Sequence, residues 1–294
     1  MQPIELGRMR ISKVFEMESR TPMPMQLPGV SSADLQRLLT WYDPGDDEIV
    51  LEPEDCSMTF SVHSFVIEID GLTVLIDTCD GNHKNRSMEA VHQLDTPYLD
   101  GFARIGIAPE DIDLVMCTHL HFDHVGWNTR LENGKWVPTF PNARYVMGRD
   151  ELSHWQAQEA AAPGAENHGA YADSVLPVLE AGLAEPVDDG VSVAPGLEIV
   201  PLRGHSPGQI GLELSGRGAA RALFCGDALH SPVHVFRPGW STAFCHDPAQ
   251  AAQTRRALLD RAAEEDLLLL PAHLRRASGM RIARDGAGHR PTLV

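Results

Sequence analysis

The sequence predicts an α/β domain, and three observations carry that prediction. Apolar runs of strand length alternate with stretches in which apolar residues recur three and four apart. Composition is that of an ordinary globular chain, 43% hydrophobic and 22% charged over 294 residues. Several apolar runs also end on a histidine or an aspartate, so polar chemistry is delivered repeatedly at strand ends.

Taken in order, residues 1–45 are expected to form an N-terminal extended arm ahead of a catalytic domain over 46–294. The stretch Thr21-Pro22-Met23-Pro24-Met25-Gln26-Leu27-Pro28-Gly29 is too rich in proline for a helix or a central strand. Its Met23, Met25 and Leu27 want cover from water, which predicts a homodimer contact. Residues 60–69 and 73–76 read as paired strands turning at Asp70-Gly71. A short buried strand over 114–117 ends at Thr118-His119, and 143–147 is another. Helices are expected from Arg149 to about Ala162 and over 170–181. Strands follow near 197–202, 209–214 and 221–225. Asp247-Pro248 reads as an N-cap with proline at the first helical position. That helix runs through Arg255, Leu258, Leu259 and Ala262, and 267–270 is the last buried strand, ending at Pro271-Ala272-His273.

Charge narrows the function. Lys plus Arg is 24 and Asp plus Glu is 41, so the formal net charge is 24 − 41 = −17. So acidic a chain, without a compact basic patch, repels a phosphate backbone, and nucleic acid is not an expected partner. The five cysteines (Cys56, Cys79, Cys117, Cys225, Cys245) are odd in number and form no CxxC pair, which suits a reducing compartment. No apolar run has the length of a signal peptide or a membrane span. A cytoplasmic protein acting on a small molecule, with no membrane partner, is expected.

Of the fourteen histidines, a cluster at 119–124 and two more, His205 and His273, stand where apolar strands end. Thr118-His119-Leu120-His121-Phe122-Asp123-His124 holds three imidazoles and a carboxylate within six residues, too many polar groups for a plain turn. Alternation puts His119 and His121 on one side, while Asp123 and His124 can face a neighbouring point. Two adjacent cations of borderline softness fit that arrangement. His205, in Gly204-His205-Ser206-Pro207-Gly208, follows an apolar strand, as do Asp227, in Cys225-Gly226-Asp227, and His273. Singly these read as a turn histidine, a cap and a surface histidine. Together, after separate strands, they form a pattern.

The ordered set HxHxDH, then H, D and H, from about Phe60 to His273, resembles the metallo-β-lactamase fold superfamily. The resemblance implies an αββα sandwich with a two-metal site at one edge. It would have His119, His121 and His205 hold one metal, Asp123, His124 and His273 the other, and Asp227 bridge both. Asp77, in Leu75-Ile76-Asp77-Thr78, matches an aspartate that the family places beside the site. The β-lactamases lack the bridging aspartate, the nucleases carry an inserted domain, and the thioesterases a helical C-terminal domain. What remains looks most like the branch of quorum-quenching lactonases and methyl parathion hydrolase. One departure weighs against homoserine lactones: His230 stands three residues after Asp227, where those lactonases place tyrosine and the organophosphate-hydrolysing relatives histidine.

The chemistry so implied is opening of a lactone or carboxylic ester by a metal-bridging hydroxide. Asp123 and His230 count as catalytic, His230 as a donor to the oxyanion or the leaving alkoxide. Zinc is the expected pair of ions, with manganese or iron as alternatives. The competing activities are phosphotriester hydrolysis on the same site and a mononuclear-iron, persulfide-dioxygenase-like oxidation. The full second-metal set argues against the latter, and an open site without excess thiolates argues against a purely structural metal.

Overall fold

A computed structural model describes residues 2–39, 50–52, 57–215 and 221–294. The chain forms two compact units, Met1–Met17 with Val62–Val193, and Glu18–Ser61 with Ala194–Val294. In chain order the strands are β1 (Ile4–Leu6), β2 (Met9–Pro22), β3 (Val50–Glu52), β4 (Ser57–Ile69), β5 (Leu72–Ile76), β6 (Leu114–Cys117), β7 (Thr129–Glu132), β8 (Lys135–Pro138) and β9 (Arg144–Gly148). They continue as β10 (Ala184–Val187), β11 (Ser192–Ala194), β12 (Leu197–Pro201), β13 (Ile210–Ser215), β14 (Arg221–Gly226), β15 (Leu268–Pro271), β16 (Met280–Asp285) and β17 (Gly288–Leu293).

The first unit is built on the strand order β1-β2-β4-β5-β6-β9-β10. The expected hairpin is there: Ile69 pairs with Leu72, and Asp70 and Gly71 both take positive φ, as a tight primed turn requires. β5, β6, β9 and β10 run parallel to one another. Parallel strands are covered on both faces, which is why β6 is buried at every residue and reads as a continuous apolar run. A helix over Tyr98–Ile105 crosses between β5 and β6, burying Tyr98 and Phe102, and stops at Gly106 in the left-handed conformation.

The helix expected over 170–181 is two pieces, a π-helical turn at Tyr171–Val175 and an α-helix over Leu176–Glu180. Pro177 explains the break, because it has no N–H for the carbonyl of Asp173. That carbonyl instead accepts from Lys84 Nζ at 3.0 Å and from the Thr129 hydroxyl.

The second unit carries the strand order from β11 to β17. From β12 to β17 its neighbours are antiparallel except β14 and β15, which run parallel. The crossover between that pair is the helix Pro248–Glu265, capped as expected: the Asp247 carboxylate accepts from Ala249 N and Gln250 N, both at 3.0 Å. Its Leu258, Leu259 and Ala262 pack with Leu223, Leu269 and Met280 in one apolar core. The β16–β17 hairpin, turning at Gly286, was not anticipated, although Asp285-Gly286 is itself a turn signal.

The N-terminal segment corrects the expectation of an extended arm. Residues 4–22 contain β1 and the whole of β2, and Met23–Gln26 is a helical turn. Pro24 is tolerated there because the first turn of a helix leaves its N–H groups unpaired anyway. Met23 and Leu27 are buried against Leu35, Leu38, Met58, Phe60 and Val233 of the same unit. Their cover comes from their own chain, whereas Met25, the third apolar residue of that stretch, stays exposed. The expected boundary at residues 45 and 46, and Cys56, lie outside the described residues. No helix among the described residues is long and apolar enough to cross a membrane.

Candidate metal centre

In the first unit the site begins where β5 and β6 end. Asp77 N donates to Met116 O at 2.9 Å, and φ at Asp77 is 55°, a strained value for a residue with a side chain. The loop after β5 is laced to the HxHxDH loop by Thr78 N to His124 O (2.8 Å), Gly126 N to Cys79 O (2.7 Å) and Trp127 N to Thr78 O (2.7 Å). Approach is so close that a Cβ on Gly126 would lie 1.8 Å from Asp80 O. Only glycine fits. The Asp77 carboxylate accepts from Thr118 N (2.7 Å), Thr118 Oγ1 (2.8 Å) and His124 Nδ1 (2.9 Å).

Those bonds gather the HxHxDH residues. His119 and His124 are buried, with ring centroids 4.0 Å apart. His119 Nε2 and His121 Nδ1 are 3.0 Å apart, and Asp123 Oδ2 is 3.7 Å from His124 Nε2. Three imidazoles and a carboxylate therefore share one corner of the unit.

In the second unit Gly204 has φ of 128° and its backbone packs on the start of the helix Pro248–Glu265, where a Cβ would meet Ala251 N at 2.2 Å. The carbonyls of Gly204 and His205 accept from Asp247 N and His246 N, each at 2.9 Å, and His205 Nδ1 lies 3.6 Å from Cys245 Sγ. Asp227 leaves β14 where its ladder with β15 shifts register between Phe224 and Gly226. His273 leaves β15, and its Nδ1 donates to Ser61 O at 2.9 Å. Three imidazoles meet the Asp227 carboxylate: His205 Nε2 at 3.3 Å, His230 Nε2 at 3.1 Å and His273 Nε2 at 3.1 Å. All four residues are buried.

This donor set fits divalent metal ions. Imidazole nitrogens and carboxylate oxygens are the ligands that zinc and its neighbours take. Potential ligand atoms of His205, Asp227 and His230 lie within 4.8 Å of one another. Burial lowers the affinity of His230 for a proton, against the pull of Asp227, and a neutral imidazole is the metal-binding form. Sequence reasoning gave His230 a role toward substrate. The structure turns its Nε2 to Asp227 and has its backbone N donate to His234 Nδ1 at 3.1 Å.

Several supporting residues carry no motif. Arg255, fully buried on a surface-type helix, donates to Ala228 O (2.8 Å), Pro238 O (2.6 Å) and Trp240 O (2.8 Å), fastening the segment that holds His230. Burial pushes its guanidinium down to about 10. Glu151 and Asn167 bond to the backbone of the HxHxDH loop. Cys117 and Cys225 are buried thiols, Cys117 pushed up to about 12 by burial, and so are packing residues. Trp127 and Phe140 belong to the core of the first unit. Trp155 is partly buried and meets the His121 ring edge-on, centroids 5.7 Å apart.

A family model described as the metallo-β-lactamase superfamily matches residues 58–273. N-acyl homoserine lactonase AiiB of Agrobacterium fabrum is 24% identical over 292 residues, covering 92% of this chain and 91% of that protein. The N-acyl homoserine lactonase of Bacillus cereus is 27% identical over 128 residues, 44% of this chain and 43% of that one. Among solved structures, the hydrolase AbOPH of the β-lactamase superfamily has a TM-score of 0.81 at 21% identity, covering 100% of this chain and 97% of its own. AidC, a dizinc quorum-quenching lactonase with a product bound, has a TM-score of 0.80 at 18% identity, with the same coverage. These structures share its fold.

Proposed function

Because the chain belongs to the metallo-β-lactamase superfamily, we propose that it is a metal-dependent hydrolase that opens lactones or carboxylic esters with two divalent ions. The observation that carries this reading is Asp227, a buried carboxylate with three imidazole nitrogens at 3.1–3.3 Å. A carboxylate so placed can serve as the bridge that the ordered ligand pattern calls for. His119, His121 and His205 would hold one ion, and Asp123, His124 and His273 the other, with Asp227 shared. Bound there, divalent ions supply Lewis acidity and bring the pKa of water down to about 7.

The chain's own residues do the positioning. Asp77 takes the Nδ1 proton of His124 in a hydrogen bond, and Ser61 O does the same for His273, so each ring presents Nε2. Asp123, among the catalytic groups, sits beside His124 Nε2 and is partly exposed, where it can take the proton given up by the attacking water and pass it to the leaving alkoxide. The relatives named as acyl homoserine lactonases, and AidC with its product, support a lactone substrate. Zinc is the proposed metal. The free thiols among the described cysteines support a reducing compartment.

Metal analysis of the purified protein with a panel of acyl homoserine lactones, aryl esters and an aryl phosphotriester tests the proposal. About two divalent ions per chain and turnover of lactone or ester are expected. Asp227→Ala should lose both ions together and fall to background. One iron per chain with no hydrolysis would refute it in favour of oxidation, and turnover confined to the phosphotriester would move the substrate class.

A further inference from the structure

Among the described residues, no strand pairs with the HxHxDH loop where His121 sits. His121 is extended (φ −63°, ψ 154°) and immediately precedes a short helical turn over Phe122–Val125. The peptide groups on either side of it are nevertheless both bonded, and by one side chain. Asn167 Nδ2 donates to Leu120 O at 2.6 Å, and Asn167 Oδ1 accepts from Phe122 N at 3.0 Å. A carboxamide used this way reproduces one rung of a β-ladder, donor and acceptor together, across a single residue. Leu120 N is held separately, by Glu151 Oε1 at 3.1 Å.

Asn167 reaches that position at a conformational cost. Asn167, His168 and Gly169 have φ of 48°, 53° and 80°, three left-handed residues in succession. Such strain persists where surrounding contacts over-determine it, and it collects at functional sites. Here Arg86 supplies the contacts, donating to His168 O at 3.3 Å and pairing with both Asp173 oxygens at 2.7 and 3.0 Å. Ser87 meets His168 Nδ1, and the Phe122 ring stands edge-on to His168 with centroids 4.9 Å apart.

We propose that Asn167 is a positioning residue that brackets His121 and fixes the direction in which its imidazole is offered to a metal ion. This role rests on the reading of His121 as a ligand. A plain structural role makes a different demand. If Asn167 merely occupied a left-handed turn, glycine would replace it with no loss, since glycine adopts that conformation most readily.

The test compares the wild-type chain with Asn167→Gly, Asn167→Asp and, as reference, His121→Ala. Each apoprotein is melted, then titrated with Co2+ and read by its d–d absorption, which reports ligand geometry. Asn167→Gly is expected to melt as the wild type does yet bind Co2+ about 10–100-fold more weakly, with an altered band shape. Asn167→Asp keeps the acceptor for Phe122 N but sets a carboxylate against Leu120 O, and should lose affinity as well. Unchanged affinity and spectrum in whichever of these two variants folds would overturn the proposal. A wild-type chain that takes up no Co2+ would remove the metal-centre reading itself, and a His121→Ala chain with wild-type affinity would remove His121 from it.

Discussion

His124 Nδ1 donates to Asp77 Oδ2 at 2.9 Å, and both groups are buried. The bond fixes the tautomer and the ring plane of His124, and raises the basicity of Nε2. Asp77 is held in turn by Thr118 N and Thr118 Oγ1, so the end of β5 and the start of the HxHxDH loop set the ring jointly.

Asp77→Ala should therefore weaken metal affinity by about 10–100-fold, the usual cost of deleting a group that orients a ligand. Hydrolysis at saturating metal should recover in part. Equilibrium dialysis against a competing chelator measures the affinity. Unchanged affinity would mean that the loop holds His124 without Asp77.

Gly126→Ala tests the lacing of the two loops. With a Cβ 1.8 Å from Asp80 O, backbone must move, and three hydrogen bonds between the loops move with it. Overpacking of this kind costs about 1–3 kcal/mol, and here no flexible side chain can give way. A lowered melting midpoint and weaker metal binding should appear together. A stable variant with unaltered metal binding would show that the loops tolerate separation.

Lys84 gives the protein a pH signature away from the candidate metal ligands. Its ammonium is buried, donates to Thr129 Oγ1 at 2.6 Å and lies 3.6 Å from Asp173 Oδ1. Burial lowers its pKa to about 7, with Asp173 opposing and Arg86 reinforcing the shift. In the unfolded chain a lysine titrates near 10.4. Between these values the unfolded state binds more protons, so this residue's contribution to stability rises with pH, and its penalty is fully present below about pH 7. Each pH unit in that window is worth up to about 1.4 kcal/mol. Comparing urea unfolding of the wild type and Lys84→Met, the difference should shift in favour of the wild type by roughly 2 kcal/mol between about pH 7.5 and about pH 9.5. A difference independent of pH would place the lysine's pKa outside that window.

Legibility differed between the candidate ligands and their supports for a physical reason. His119, His121, Asp123, His124, His205, Asp227 and His273 stand at fixed offsets from apolar runs, and chemistry dictates their residue types. Asn167, Glu151 and Arg255 act through backbone groups that folding brings to them, and any sequence position could supply them. The same contrast holds in the fold. β6 was visible because a parallel strand is apolar throughout, whereas β2 hid behind Lys13, Glu16 and Glu18. Glu16 is buried there because Trp127 Nε1 donates to it at 2.6 Å and Asp80 N at 2.8 Å, partners that no local pattern reveals.

His230 is where sequence and structure give different expectations for one substitution. A role toward substrate alone predicts that His230→Phe keeps its metals and loses turnover, most with poor alkoxide leaving groups and by about 10²–10⁴-fold. The structure puts His230 Nε2 3.1 Å from Asp227 Oδ2, in a buried ring of three imidazoles around that carboxylate. Phenylalanine keeps the bulk but removes the nitrogen, so Asp227 loses a partner where water cannot replace it. The expected outcome is thus a drop in metal affinity, with turnover falling alike for activated aryl esters and for lactones. His230→Gln, whose amide can still donate toward Asp227, should recover part of the affinity. Full metal content in His230→Phe, with loss confined to poor leaving groups, would instead make His230 the proton donor.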